Sequence, residues 1–365
     1  MRAMTLIVAV ALLLLVAVAG TAQADFSLSG EEHMDVTSYH SLGELYDTST
    51  ADVLEGGSIF EAYVYNTAKL RVLEDGCLVS ELHTCNSGVA GVCGGDIYDL
   101  YAGDTSRVSI SGGRVDELYA NGSSRLAMSG GSITWRLNAS NSSSIGICGG
   151  SVWSLFAGDT SKVRICGGTV SMMYPGGSSH VSICGGTFPL FSTSGSASVG
   201  VFGGDIFQLY AGDTSSITVR GHDFEATGGL SLDGNRVVGT GVLSGTWWGG
   251  APWTMSIVDN GADATIWADP TPPHAGDANF DDVVDVSDLG ILAMNWGKSA
   301  RYWCHADFTG NGTVNVGDLG VLAFNWGWDG HAVAAMVAAP EPAILTLLAT
   351  GALSMLRRRV SWHAP

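Results

Sequence analysis

The chain has 365 residues, a formal net charge of −19 and only 16 lysines and arginines, which argues against a nucleic-acid partner because a phosphate backbone is gripped by basic side chains. The length predicts two or three domains. The seven cysteines form no CxxC or Cys/His zinc pattern, and their odd number leaves at least one thiol outside any intramolecular disulfide.

In chain order, residues 1–24 carry one early basic residue, Arg2, a continuous apolar run over 6–19, and Ala22-Gln23-Ala24. This order resembles a secretory signal peptide cleaved after Ala24, and predicts export of a mature chain. The apolar run is shorter than the ~20 residues a spanning helix needs.

Residues 25–221 repeat with a period of eighteen or nineteen. Gly pairs begin at Gly94, Gly112, Gly130, Gly149, Gly167, Gly185 and Gly203, with weaker echoes at Gly56 and at Asp75-Gly76. Each unit holds two short alternating apolar strands separated by polar, Gly-rich corners. Such a unit cannot bury its apolar face alone, so stacked copies are expected to form a parallel β-helix. The fold class is therefore mainly β, about ten coils spaced at about 4.8 Å. One expected column is Ile97, Val115, Ile133, Val152, Val170 and Ile206; another is Leu100, Leu118, Leu155 and Leu209. Tyr101, Tyr119, Phe156, Tyr174 and Tyr210 form an aromatic column, and all three are expected to be core. Cys148, Cys166 and Cys184 share a further column of small packing residues. Neighbouring coils lie within disulfide range, but three stacked cysteines cannot all pair.

The recurrent acids of this body, Asp104, Asp159 and Asp213, fall three coils apart. That spacing, ~14 Å, is too long for the paired carboxylates of a glycosidase. Asp99 and Asp116 do not recur in a column, and no catalytic residue is assigned. The period is lost over 222–270, which reads as a β-rich cap over the open strand edges. Trp247, Trp248 and Trp253 there suggest a polysaccharide platform as the sharper alternative.

Residues 271–330 contain a duplication. In the first copy Asp277, Asn279, Asp281, Asp285 and Asp288 offer side-chain oxygens at loop positions one, three, five, nine and twelve, and Val283 a carbonyl at seven. In the second copy these are Asp307, Thr309, Asn311, Asn315 and Asp318, with Thr313 at seven. The spacing suits Ca2+, a hard cation needing six to eight oxygens. A plain surface turn has no reason to repeat an acid at both ends of the loop. Leu289, Leu292 and Trp296, matched by Leu319, Leu322 and Trp326, predict one helix after each loop, stopped by Gly297 and Gly327. Pro272 and Pro273 argue against a helix before the first loop.

A calcium loop followed by one helix, duplicated, resembles the type I dockerin domain. The resemblance implies a small all-α domain that binds two Ca2+ ions and docks into a cohesin-like protein module. The first loop carries four ligand carboxylates and the second two, so the first is expected to bind more tightly. Positions ten and eleven, which help choose the cohesin in dockerins, are Val286-Ser287 and Val316-Gly317.

After a linker over 331–339 come Pro340-Glu341-Pro342, an apolar stretch, and Arg357-Arg358-Arg359. This order, over 340–359, resembles a PEP-CTERM sorting signal, which implies processing by an exosortase-type enzyme and membrane contact only through this transient segment. The combined expectation is a secreted, cell-surface or matrix structural protein carrying a docking module, more a non-enzyme than an enzyme. The alternative is a polysaccharide-degrading β-helix protein tethered by its dockerin.

Overall fold

The computed structural model describes residues 25–73, 77–248, 250–299 and 303–330. The signal-peptide reading and the linker and sorting readings fall outside these residues. The described residues form two compact units, the first comprising 25–219 with Asp223–Gly245 and Trp253–Asp269, the second Arg220–His222, Thr246–Pro252 and 270–330.

The first unit is a parallel β-solenoid of about 11 turns. A typical turn runs from the strand Asp96–Ala102 through a corner to the strand Arg107–Ile110, then through the Gly pair to Arg114–Ala120. Each strand pairs in parallel with its equivalents one turn away: Val115 lies beside Ile97 on one side and Ile133 on the other. Alternate residues point inward, so Val115, Leu118 and Ala120 are buried. The two expected aliphatic columns are present. Phe188 completes the first between Val170 and Ile206, while Leu137, Met173 and Phe191 fill the second.

The aromatic column is different. Tyr101 lies between buried Leu100 and Ala102, and the alternation turns it outward, half-buried against its neighbours. Its ring stacks on Tyr119 at 5.1 Å and on His83 at 4.7 Å, and His83 stacks on Tyr63 at 4.7 Å. It is a surface ladder rather than core.

The corners explain the recurrent Asp residues. Asp104, Asp159 and Asp213 have φ of 52°, 51° and 51°, a left-handed conformation that Asp, Asn and Gly tolerate best. Their carboxylates accept the backbone N–H of Asn86, Asn141 and Gly195 on the previous turn, each at 2.8 Å. At the opposite corner the second Gly of each pair is left-handed. A Cβ on Gly113 (φ 69°) would sit 2.5 Å from the Gly94 carbonyl oxygen, so only glycine lets the turns stack there.

Residues 222–270 divide into two parts. The strand Pro252–Asn260 pairs in parallel with Ser198–Ala211, placing Ile257 beside Leu209, and Thr265–Asp269 pairs with Ser216–Arg220. These strands form one more solenoid turn. The corner Asn260-Gly261-Ala262-Asp263 is a diverged copy of Ala211-Gly212-Asp213-Thr214: the Gly261 N–H donates to Ala211 O at 2.8 Å. The inserted hairpin Ser231–Asp233 and Arg236–Val238 lies antiparallel along the strand Thr265–Asp269, covering the edge that the solenoid would otherwise leave open. Trp247 and Trp253 are 7% and 5% exposed, so two of the three indoles pack instead of forming a platform.

The second unit contains helix α1 (Val286–Asn295) and helix α2 (Val316–Phe324) around a core of Ala278, Val284, Leu292, Ala306, Phe308, Val314 and Leu322. The two halves exchange equivalent contacts. Gly297 N–H donates to Val314 O at 2.8 Å and Gly327 N–H to Val284 O at 2.9 Å. Both glycines are left-handed, at φ 71° and 79°, as the helix stops require. Among the described residues, no helix is long and apolar enough to cross a membrane.

Candidate functional site

The duplicated loops fold around their end residues. Asp277, Asp288, Asp307 and Asp318 are between 0% and 2% exposed. Asp277 caps the first loop from within: its two oxygens accept the N–H groups of Phe280 at 2.6 Å and Asp282 at 3.0 Å. Asp288, at position twelve, reaches back to the N–H of Ala278 at 2.7 Å and Asn279 at 3.2 Å. It also accepts Asp285 N–H at 2.9 Å, while Asp285 caps Ser287 N–H at 2.7 Å, so the loop's last two acids build a capping box that starts α1. Asn279 and Asp281 lie nearer solvent; the Asn279 side-chain amide N–H donates to the Asp281 carboxylate at 2.7 Å, and Asp281 accepts Val283 N–H at 3.0 Å.

The second loop repeats the plan with weaker donors. Asp307 accepts Asn311 N–H at 3.1 Å and Gly312 N–H at 2.7 Å. Asp318 accepts Thr309 N–H at 2.9 Å and Asn315 N–H at 2.8 Å, and Asn315 starts α2 by capping Gly317. Thr309 differs from Asn279: its hydroxyl donates to Asp318 at 2.9 Å. Asn315 donates its amide to the Thr313 carbonyl at 3.0 Å. The sixth positions, Asp282 and Gly312, are both left-handed, at φ 60° and 79°. That conformation is the sharp turn the loop spacing demands.

Electrostatics make these loops unusual. Burial, and then the charge of Asp288, push the Asp277 carboxyl up to about 7, and burial also raises Asp288. Among the described residues, no lysine or arginine makes an ion pair with any of the four buried end carboxylates. Two buried carboxyls in one loop without a positive charge repel each other. A hard cation satisfies both, so the donor set fits Ca2+: all oxygen, partly anionic, with further oxygens at the loop rim.

A second constellation lies on the outer face of the solenoid's long strands, where sequence reading found none. The register places Glu61, Glu81, Asp99 and Glu117 in one column, followed by Arg136. Asp99 therefore does recur in an acidic column, contrary to the expectation, because Glu occupies the other turns. Neighbouring members are one turn apart, about 4.8 Å between backbones. Burial, then Glu117 and Glu81, raise the Asp99 carboxyl above its ordinary range. Tyr63 donates to Glu61 at 3.4 Å, and the Tyr119 hydroxyl bonds Glu117. On the same face Trp135 and Trp153 are 63% and 55% exposed. The signal that could have found this ladder was the alignment of coils by their aliphatic columns, counting Glu and Asp as equivalent.

No protein-family description, no curated protein and no solved structure matches the chain.

Proposed function

We propose that the chain is an exported cell-surface or matrix protein in which a β-solenoid spacer carries a calcium-folded, dockerin-like docking module. The observation that carries this reading is the pair of buried carboxylates ending each duplicated loop, Asp277 with Asp288 and Asp307 with Asp318. In the first loop Asp277, Asn279, Asp281, Asp285, Asp288 and the Val283 carbonyl would hold Ca2+; in the second, Asp307, Thr309, Asn311, Asn315, Asp318 and the Thr313 carbonyl. Calcium supplies the positive charge that lets the paired carboxylates stay ionised inside the fold. The first loop binds it more tightly, since the second has fewer carboxylates and its Thr309 hydroxyl and Asn315 amide are already engaged.

A cohesin-like module is the partner that suits this unit. Val286 and Val316, 68% and 73% exposed, are matched across the duplication, as are Met294 and Phe324, 68% and 91% exposed. Large apolar side chains so far out of the core serve contact with another protein. The leader ending at Ala24 and the Pro340-Glu341-Pro342 to Arg357-Arg358-Arg359 tail support export followed by exosortase-type processing. A pull-down of the mature protein from its own cell envelope tests the mechanism: capture of the partner is expected with calcium and lost with chelator. Capture unaffected by chelation would overturn it.

The carboxylate ladder favours a second reading, polysaccharide degradation by the solenoid. Neighbouring members of the ladder are one turn apart, about 4.8 Å between backbones, near the carboxylate separation that retaining glycosidases use, and Asp99, whose carboxyl is raised by burial and then by Glu117 and Glu81, has the character of a general acid. Reducing-sugar release from a panel of plant and algal glycans, abolished by Asp99→Asn, is the outcome this reading requires.

A further inference from the structure

Cys148, Cys166 and Cys184 follow Ile147, Ile165 and Ile183, which pair directly across successive turns. The three thiols therefore rise one per turn, although the register slips after Ile165 so that Cys166 lies beside Gly185, next to Cys184, and the column is not strictly straight. Their surroundings differ: Cys148 is exposed, Cys166 half-buried and Cys184 buried. Arg164 points its Nε at the Cys166 sulfur at 3.4 Å. Hydrogen bonds from Cys148 and then Cys184, with the Arg164 charge, hold the Cys166 thiol far below its usual range.

We propose that this column is a thiol–disulfide exchange site, in which Cys166 bonds alternately to Cys148 and Cys184 and is oxidised by a small disulfide such as oxidised glutathione. The Cys166 sulfur makes hydrogen bonds with both Cys148 and Cys184, and adjacent turns at about 4.8 Å are compatible with the roughly 4.4–6.8 Å Cα window on either side, while Cys148 and Cys184, two turns or about 10 Å apart, cannot reach each other. Only one bond can form at a time, and it must include Cys166.

The chemistry balances as follows. The Cys166 thiolate attacks one sulfur of the external disulfide, forming a mixed disulfide and expelling one thiolate. Cys148 or Cys184 then loses its proton to solvent, and its thiolate attacks the Cys166 sulfur, expelling the second. Two protein thiols are oxidised and one small disulfide is reduced to two thiols. The remaining neighbour lies on the other adjacent turn, on the far side of Cys166. Its thiolate can displace the bonded one with no net redox change. The bond thus moves along the column, and when it lies between Cys166 and Cys184 the exposed Cys148 presents a thiol at the surface. This proposal rests on the solenoid alone and is independent of the docking reading.

Peptide mapping under non-reducing conditions, on the full chain equilibrated with oxidised and reduced glutathione, tests it. Two isomers are expected, Cys148–Cys166 and Cys166–Cys184, never in one molecule. Cys148→Ser should leave only the second, and Cys166→Ser should abolish both while leaving Cys148 open to glutathione. Arg164→Gln should slow oxidation several-fold, because the guanidinium favours the attacking thiolate. Absence of either isomer from the wild-type chain, or a Cys148–Cys184 bond, would overturn the proposal. Should Cys166→Ser fail to fold, the wild-type and Cys148→Ser maps still decide it.

Discussion

At the scale of single residues, Asp277 joins the fold to its chemistry. Its carboxyl is pushed up to about 7 by burial and by Asp288, whereas an unfolded Asp titrates near about 3.9. In chelator the folded chain holds a proton that the unfolded chain has released, so between about pH 4 and about pH 7 stability falls as pH rises. Below that window both states are protonated and the contribution is fully present. Under the calcium-binding reading proposed above the dependence reverses, because the ion would compete with the proton for the same carboxylates. Melts in chelator should therefore show the second unit more stable at about pH 5 than at about pH 8, with the order reversed in calcium. Asp277→Asn should raise stability in chelator at the higher pH, by removing one of two like charges, and abolish the calcium response. A chelated wild type that gains stability from about pH 5 to about pH 8 contradicts this account.

At the scale of elements, the inner corner of successive turns carries a small residue whose N–H closes the turn: Ser49, Ala68, Gly88, Ser106, Ser124, Ser143, Ser161, Ser179, Ala197, Ser215 and Ala264. Ser215 donates its hydroxyl to Gly212 O at 2.7 Å. Ser124, Ser143, Ser161 and Ser179 are buried with hydroxyls that find no partner among the described residues. A buried hydroxyl without a partner costs about 1–3 kcal/mol, while a made bond is worth about 1 kcal/mol. Ser161→Ala should accordingly be neutral or stabilising by about 1 kcal/mol, and Ser215→Ala destabilising by a similar amount, in urea titrations of the purified chain. Loss of stability from Ser161→Ala equal to that from Ser215→Ala would refute the distinction. This element was partly legible in sequence. A constant period exposes the Ile97 and Leu100 columns, since every turn contributes the same residue class to one buried place. The acidic ladder was not legible by the same route: Glu61 and Glu81 are twenty residues apart where later turns use eighteen, and the column mixes Glu with Asp. The last turn was hidden for another reason, because the edge-covering hairpin interrupts the chain between Leu209 and its partner Ile257. In the duplicated loops the spacing encodes which oxygens are offered. It does not show that Asp285 and Asp288 also start the helix, a role that arises only once the loop has closed.

At the scale of the whole molecule, the two units draw stability from different sources. The solenoid buries continuous aliphatic columns, each Val, Leu or Ile worth about 1.5–3 kcal/mol, and successive turns are tied by parallel strand bonds and, at three corners, by the carboxylates of Asp104, Asp159 and Asp213. The second unit has a core of seven buried side chains and, set against it, four buried carboxylates that backbone N–H groups hold and that the proposed calcium would neutralise. So small a core cannot offset such a penalty alone. Chelation should therefore remove the helical signal of α1 and α2 while leaving the β-sheet signal and its thermal transition in place. Circular dichroism through a calcium titration, read in the helical and sheet bands separately, measures this directly. A chelator that shifts both transitions equally, or neither, would show that the buried carboxylates are compensated within the chain itself. One further substitution separates metal from packing: Leu322→Ala should weaken the second unit by about 2–5 kcal/mol with or without calcium, whereas Asp318→Asn should matter chiefly when calcium is present.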